Sequence, residues 1–99
     1  MIARVWRGRV RAGMLDEYRA YIAKTGLADY RATPGNQGAW MFTRELDAHG
    51  EVITLSLWDR EESIAVFAGD DPTRARYYPE DERFLLDFPE RVDHYDVTM

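Results

Sequence analysis

Ile53-Thr54-Leu55-Ser56-Leu57-Trp58-Asp59-Arg60-Glu61-Glu62-Ser63-Ile64-Ala65-Val66-Phe67 changes hydrophobic period in the middle. Up to Trp58 the apolar Ile53, Leu55 and Leu57 alternate with Thr54 and Ser56, the period-two pattern of a strand. After Asp59 the apolar residues Ile64, Phe67 and Ala68 recur at helical spacing. Asp59 has the chemistry of a helix N-cap, with Glu62 three residues on as its capping-box partner. A strand therefore ends in a large aromatic and turns directly into an amphipathic helix.

Working outward, Ile2 to Arg11 reads as a first strand that Gly13 breaks. Met14, Leu15, Tyr18, Tyr21, Ile22 and Thr25 follow at offsets of three and four, which predicts a helix from Met14 to Lys24 with Gly26 as its cap and a further turn from Leu27 to Ala32. Thr33-Pro34-Gly35-Asn36 stops that helix, and Gln37 to Glu45 forms a second strand. Asp47-Ala48-His49-Gly50 is hairpin chemistry, so the strand from Glu51 to Trp58 lies antiparallel beside it. A helix from Arg60 to Gly69 comes next. Asp71-Pro72 predicts a short helix carrying Arg74, Arg76, Tyr77 and Tyr78 until Pro79, then an acidic loop, then Phe84-Leu85-Leu86 as an apolar anchor. Val92 to Thr98 is the last strand. Strand, helix, strand, strand, helix, strand is the α+β order of a ferredoxin-like fold with a four-stranded antiparallel sheet.

With 99 residues and 45% hydrophobic content, one domain with one core is expected. A net charge of −5 argues against nucleic acid and anionic membranes as partners. There is no cysteine for a disulfide or thiolate metal site, and no apolar run near the ~20 residues of a membrane span, so a cytoplasmic protein is expected. No three-ligand metal spacing is evident, and neither is a phosphate loop nor a Ser-His-Asp set.

Sorting the strands by residue number gives one nearly apolar face, with Ala3, Val5, Ala39, Met41, Ile53, Leu55, Leu57, Tyr95 and Val97. The other mixes aromatic and polar groups: Ile2, Arg4, Trp6, Trp40, Phe42, Arg44, Thr54, Ser56, Trp58, His94 and Asp96. Two helices cover only one face of such a sheet, and neither face is polar enough for water. A homodimer in which two sheets pack together is expected.

The strand end Leu55-Ser56-Leu57-Trp58-Asp59, the helix start Glu61-Glu62-Ser63-Ile64, the acidic exit Gly69-Asp70-Asp71 and the short last strand with His94-Tyr95 resemble the antibiotic biosynthesis monooxygenase domain of the dimeric α+β barrel superfamily. The resemblance spans nearly the whole chain. It implies a homodimer through the Ile53, Leu55 and Leu57 face and a pocket between sheet and helices that holds Trp58 and Trp6. It also implies a cofactor-independent monooxygenase acting on a small electron-rich aromatic, a phenol or anthrone, in which the substrate carbanion itself reduces O₂. A non-catalytic dimeric domain that binds a small ligand, or serves in stress, is the alternative. Haem-degrading and oxygenase relatives carry an asparagine near the middle of strand one, where this chain has Trp6, and the haem-degrading ones a histidine in the second helical region, where it has Tyr77 or Tyr78. An indole has one N–H and no acceptor, and tyrosine ligates iron only as phenolate, so haem degradation is not expected.

On the oxygenase reading His94 is the general base, Trp58 and Trp6 bracket the substrate rings with Trp40, and Arg4 or Arg44 stabilises the oxyanion, with Tyr77 and Tyr78 hydrogen-bonding at the mouth. On the plainer reading His94 is a core residue held by Asp96, Arg4 or a tyrosine, the tryptophans fill the core, and the tyrosines anchor a surface turn.

Overall fold

The computed structural model describes all residues, 1–99. Its elements are β1 (Ile2–Arg11), α1 (Leu15–Lys24), α2 (Gly26–Ala32), β2 (Asn36–Glu45), β3 (His49–Trp58), α3 (Glu61–Ala68), the single turn α4 (Asp81–Phe84) and β4 (Asp93–Asp96). The strands form one antiparallel sheet in the order β2-β3-β1-β4. That α+β arrangement fits a ferredoxin-like fold. No helix is long and apolar enough to cross a membrane.

The helical stripes meet the sheet as their spacing requires. Leu15, Tyr18 and Ile22 of α1, Leu27 and Tyr30 of α2, and Ile64 and Phe67 of α3 are all buried. Beneath them lie Trp6 and Val10 of β1 and Val52 and Trp58 of β3, which with the helical residues make one core. The pairs Ile2 with Trp58, Arg4 with Ser56 and Trp6 with Thr54 put these residues on that covered face, and His94 joins it opposite Arg4.

The second strand lies the other way round from the face sorting. Ala39 pairs with Ser56 and Met41 with Thr54, so these two face the helices, whereas Trp40, Phe42 and Arg44 stand opposite Leu55, Ile53 and Glu51 on the open face. Glu45 pairs with Gly50 across an even number of loop residues, so odd numbers on one strand oppose even numbers on the other. A one-residue offset turns every side chain over. The β-bulge between Asn36 and Gly38 then absorbs one residue at the far end of the strand.

Several local expectations also differ. α1 ends at Thr25, whose hydroxyl bonds the Tyr21 carbonyl at 3.0 Å, and Gly26 starts the next helix instead of capping the first. The N-cap of α3 is Arg60 with no side-chain cap; Asp59 instead accepts the Ser63 hydroxyl at 2.6 Å. His49 and Gly50 are already in β3, and the hairpin closes through Leu46 N–H to the His49 carbonyl at 2.9 Å. No helix forms after Asp71-Pro72. The Asp71 carboxylate binds the Thr73 N–H (3.0 Å) and hydroxyl (2.7 Å) and pairs with Arg91, which offers the backbone a turn in place of a helix. The helical turn forms later, in the acidic Asp81–Phe84, because Phe84 and Leu85 are wholly buried there and Leu85 bridges Val10 of β1. β4 is four residues long, shorter than the seven expected.

Candidate functional site

A cavity of about 20 Å³ lies between β1 and the helices. Arg4 and Trp6 rise into its wall from β1, Tyr18 and Tyr30 come from α1 and α2, and Tyr77, Tyr78 and Asp81 close it from the segment before and within α4. The strand's alternation puts Arg4 and Trp6 on one face two residues apart, and Gly8 lets the indole lie flat along the strand: a Cβ built there would stand 2.2 Å from the Trp6 ring.

Arg4 is 2% exposed and has no carboxylate partner. It donates from Nη1 to the Tyr30 hydroxyl at 3.2 Å and from Nη2 to the Arg74 carbonyl at 2.8 Å, stacks 5.4 Å from the centroid of Phe67, and leaves Nε without a partner. Burial lowers its pKa, an effect the neighbouring Tyr30 opposes.

The two tyrosines of the segment are tied down at their hydroxyls. Tyr77 donates to the Pro89 carbonyl at 2.6 Å and accepts from the Trp6 indole at 3.2 Å. Tyr78 donates to Asp29 at 2.6 Å, and Arg76 lies over its ring while pairing with the same carboxylate at 3.3 Å. Burial pushes both phenols up, and for Tyr78 the Asp29 hydrogen bond adds to it.

Asp81 is a residue that sequence reasoning missed. It is 2% exposed; Oδ2 accepts the Tyr78 N–H at 2.6 Å and Oδ1 has no partner. Burial raises its pKa. The run Glu80-Asp81-Glu82-Arg83 looks like a solvated loop, and the signal that Asp81 points inward was its spacing, three and four residues before Phe84 and Leu85 on a helical turn.

The other expected site residues lie elsewhere. Trp58 is fully buried but does not line the cavity; its indole donates to the Ser56 hydroxyl at 2.9 Å and its ring packs against Tyr30 and Phe67. His94 is half-buried beside Arg4, also away from the cavity, and neither Asp96 nor a tyrosine satisfies it: Nε2 is buried without a partner. Burial first, then the Arg4 charge, lowers its pKa below 6.5. Trp40 and Arg44 are on the opposite side of the sheet, so there is no cage of three tryptophans, and Arg44 pairs in solvent with Glu51 at 2.8 Å.

The open face carries Ile53, Leu55 and Leu57 at its centre, with Trp40, Phe42 and Tyr95 beside them, each of the last three about half exposed. A hollow of about 410 Å³ on this side is open to solvent, and its arginines already pair, Arg7 with Asp93 at 2.8 Å and Arg9 with Asp87 at 2.9 Å. No protein-family model matches the chain, and no curated protein matches it.

Proposed function

We propose that the chain is a dimeric α+β barrel domain that binds a small, oxygen-bearing ligand between its sheet and helices, next to Arg4, Trp6, Tyr77 and Tyr78. The carrying observation is Arg4, a buried cation that makes no ion pair in a protein of net charge −5. An unpaired buried charge is costly, and a phenolic, enolic or carboxylic oxygen at the free Nε–H offsets that cost. The cavity of about 20 Å³ has room for a water-sized group, so a larger ligand requires the Tyr77-Tyr78 segment to move aside. That segment, residues 75–78, has no regular secondary structure and is held mainly by side-chain bonds.

Between the two readings open at the sequence level, the collapsed cavity and the placement of His94 and Trp58 outside it favour ligand binding over oxygenation of an anthrone. The open sheet face supports the dimer: Leu55, Leu57, Trp40 and Phe42 form an apolar centre flanked by paired charges of both signs, suited to a second copy of itself.

Calorimetric titration of the wild type with small phenols and benzoates tests the reading. Micromolar binding that weakens at least about tenfold in Arg4→Met, with the variant still folded, supports it. No binding by any member, or equal binding by the variant, overturns it. An oxygen electrode run with anthrones and naphthols in parallel distinguishes the oxygenase.

A further inference from the structure

We infer that Asp81 is the proton acceptor of this cavity and that the ligand it suits is a phenol or enol conjugated to a carbonyl, giving its hydroxyl proton to Asp81 and placing the carbonyl oxygen at Arg4. The inference rests on the ligand-binding reading above and names the ligand's chemical class. Two wholly enclosed side chains line the same cavity, and each has one buried polar atom without a protein partner: the Arg4 Nε–H, which can only donate, and the Asp81 Oδ1, which as carboxylate can only accept. Native interiors rarely leave such atoms unpaired, and these two ask for opposite things. A simple anion satisfies Arg4 and repels Asp81; an ammonium group does the reverse. A hydroxy-carbonyl compound meets both.

Proton transfer balances without another reactant. The ligand O–H bond breaks, the proton goes to Oδ1, and the electron pair delocalises through the conjugated system toward the carbonyl oxygen, where the guanidinium stabilises it. Asp81 makes no ion pair that would hold it ionised, and burial favours its protonated form against the opposing pull of the Tyr78 N–H bond. Tyr18 and Tyr77 line the cavity with it, and their pKa values are raised first by burial, with the Asp81 charge adding to it. A carboxylate so placed gains by taking up a proton.

The test uses 4-hydroxybenzaldehyde, a small phenol conjugated to a carbonyl whose absorption moves to longer wavelength on ionisation, with the full chain at a pH below the probe's own pKa. Wild type is expected to bind it as phenolate, and the Asp81 carboxyl carbon in ¹³C-aspartate-labelled protein is expected to move to its protonated position as the probe is added. Asp81→Asn is expected to bind the probe without the absorption shift. If the probe binds and the Asp81 resonance stays that of a carboxylate, or Asp81→Asn ionises the probe as wild type does, the inference is overturned while the binding reading stands. If wild type binds neither this probe nor any of the phenols and benzoates, both fall. The labelled wild-type measurement decides the matter even if the variant does not fold.

Discussion

His94 shows how one side chain can be on the right face and still outside the site. It shares a strand pair with Arg4, yet it lies off the cavity with Nε2 buried and unpaired, and burial together with the arginine's charge favours its neutral form. Since its folded pKa is below the 6.5 of the unfolded chain, the stabilisation it confers is present above pH 6.5 and is lost as the pH falls through the folded value. The denaturation midpoint is therefore expected to drop on acidification below 6.5, and less so in His94→Phe; equal slopes in both proteins would place the titrating group elsewhere. Gly8 is the second decisive position. Alanine there would put a methyl 2.2 Å from the Trp6 ring, so Gly8→Ala is expected to displace the indole, at a cost of about 1–3 kcal/mol, and to break its bond to Tyr77. Near-ultraviolet circular dichroism checks the displacement.

Among the elements, the ones legible in the sequence were those whose burial pattern is periodic. β3 and α3, α1, and the antiparallel hairpin all follow from spacing that the core then uses. β2 kept its existence and lost its orientation, because alternation does not say which parity faces in; the length of the hairpin connection does. Residues 70–89 were the least legible. Asp71-Pro72 and the acidic run at 80–83 carry standard local signals, but Asp71 spends its oxygens on Thr73 and Arg91, and the deep burial of Phe84 and Leu85 winds the acidic run into a turn. Local chemistry was overruled there by packing, and Asp81, hidden in that run, was missed for the same reason. Two predictions belong to this segment. Phe84→Ala removes a wholly buried ring that packs on Tyr18 and Tyr21, and is expected to destabilise the fold by about 3–5 kcal/mol in urea titration. The Thr73 hydroxyl, Arg91 and the Thr73 N–H hold the Asp71 pKa down to about 2 against an ordinary 3.8. A depressed carboxyl stabilises above its unfolded pKa, so this turn is expected to loosen as pH falls from 3.8 toward 2, read as loss of the Thr73 amide's hydrogen-bonded shift, and Asp71→Asn is expected to loosen it at neutral pH.

At the scale of the whole molecule the sheet divides two roles. One face holds the cavity and the core, and the other is apolar and uncovered in the single chain. On the dimer reading the wild type sediments at twice the chain mass at micromolar concentration, and Leu55→Asp, which sets a charge at the centre of the open face, yields monomer or unfolded chain. The three tryptophans report the division within one spectrum: Trp6 lines the cavity, Trp58 is sealed in the core and Trp40 is on the open face. Their indole N–H resonances in a ¹H–¹⁵N spectrum, followed as 4-hydroxybenzaldehyde is added to the wild type, are the most direct test of the claim that a small oxygen-bearing ligand binds under strand one. The account predicts that the Trp6 signal, released from Tyr77 as the segment gives way, moves saturably while Trp40 stays in place. A saturable shift at Trp40 with Trp6 unmoved, or no shift at any of the three, would contradict it.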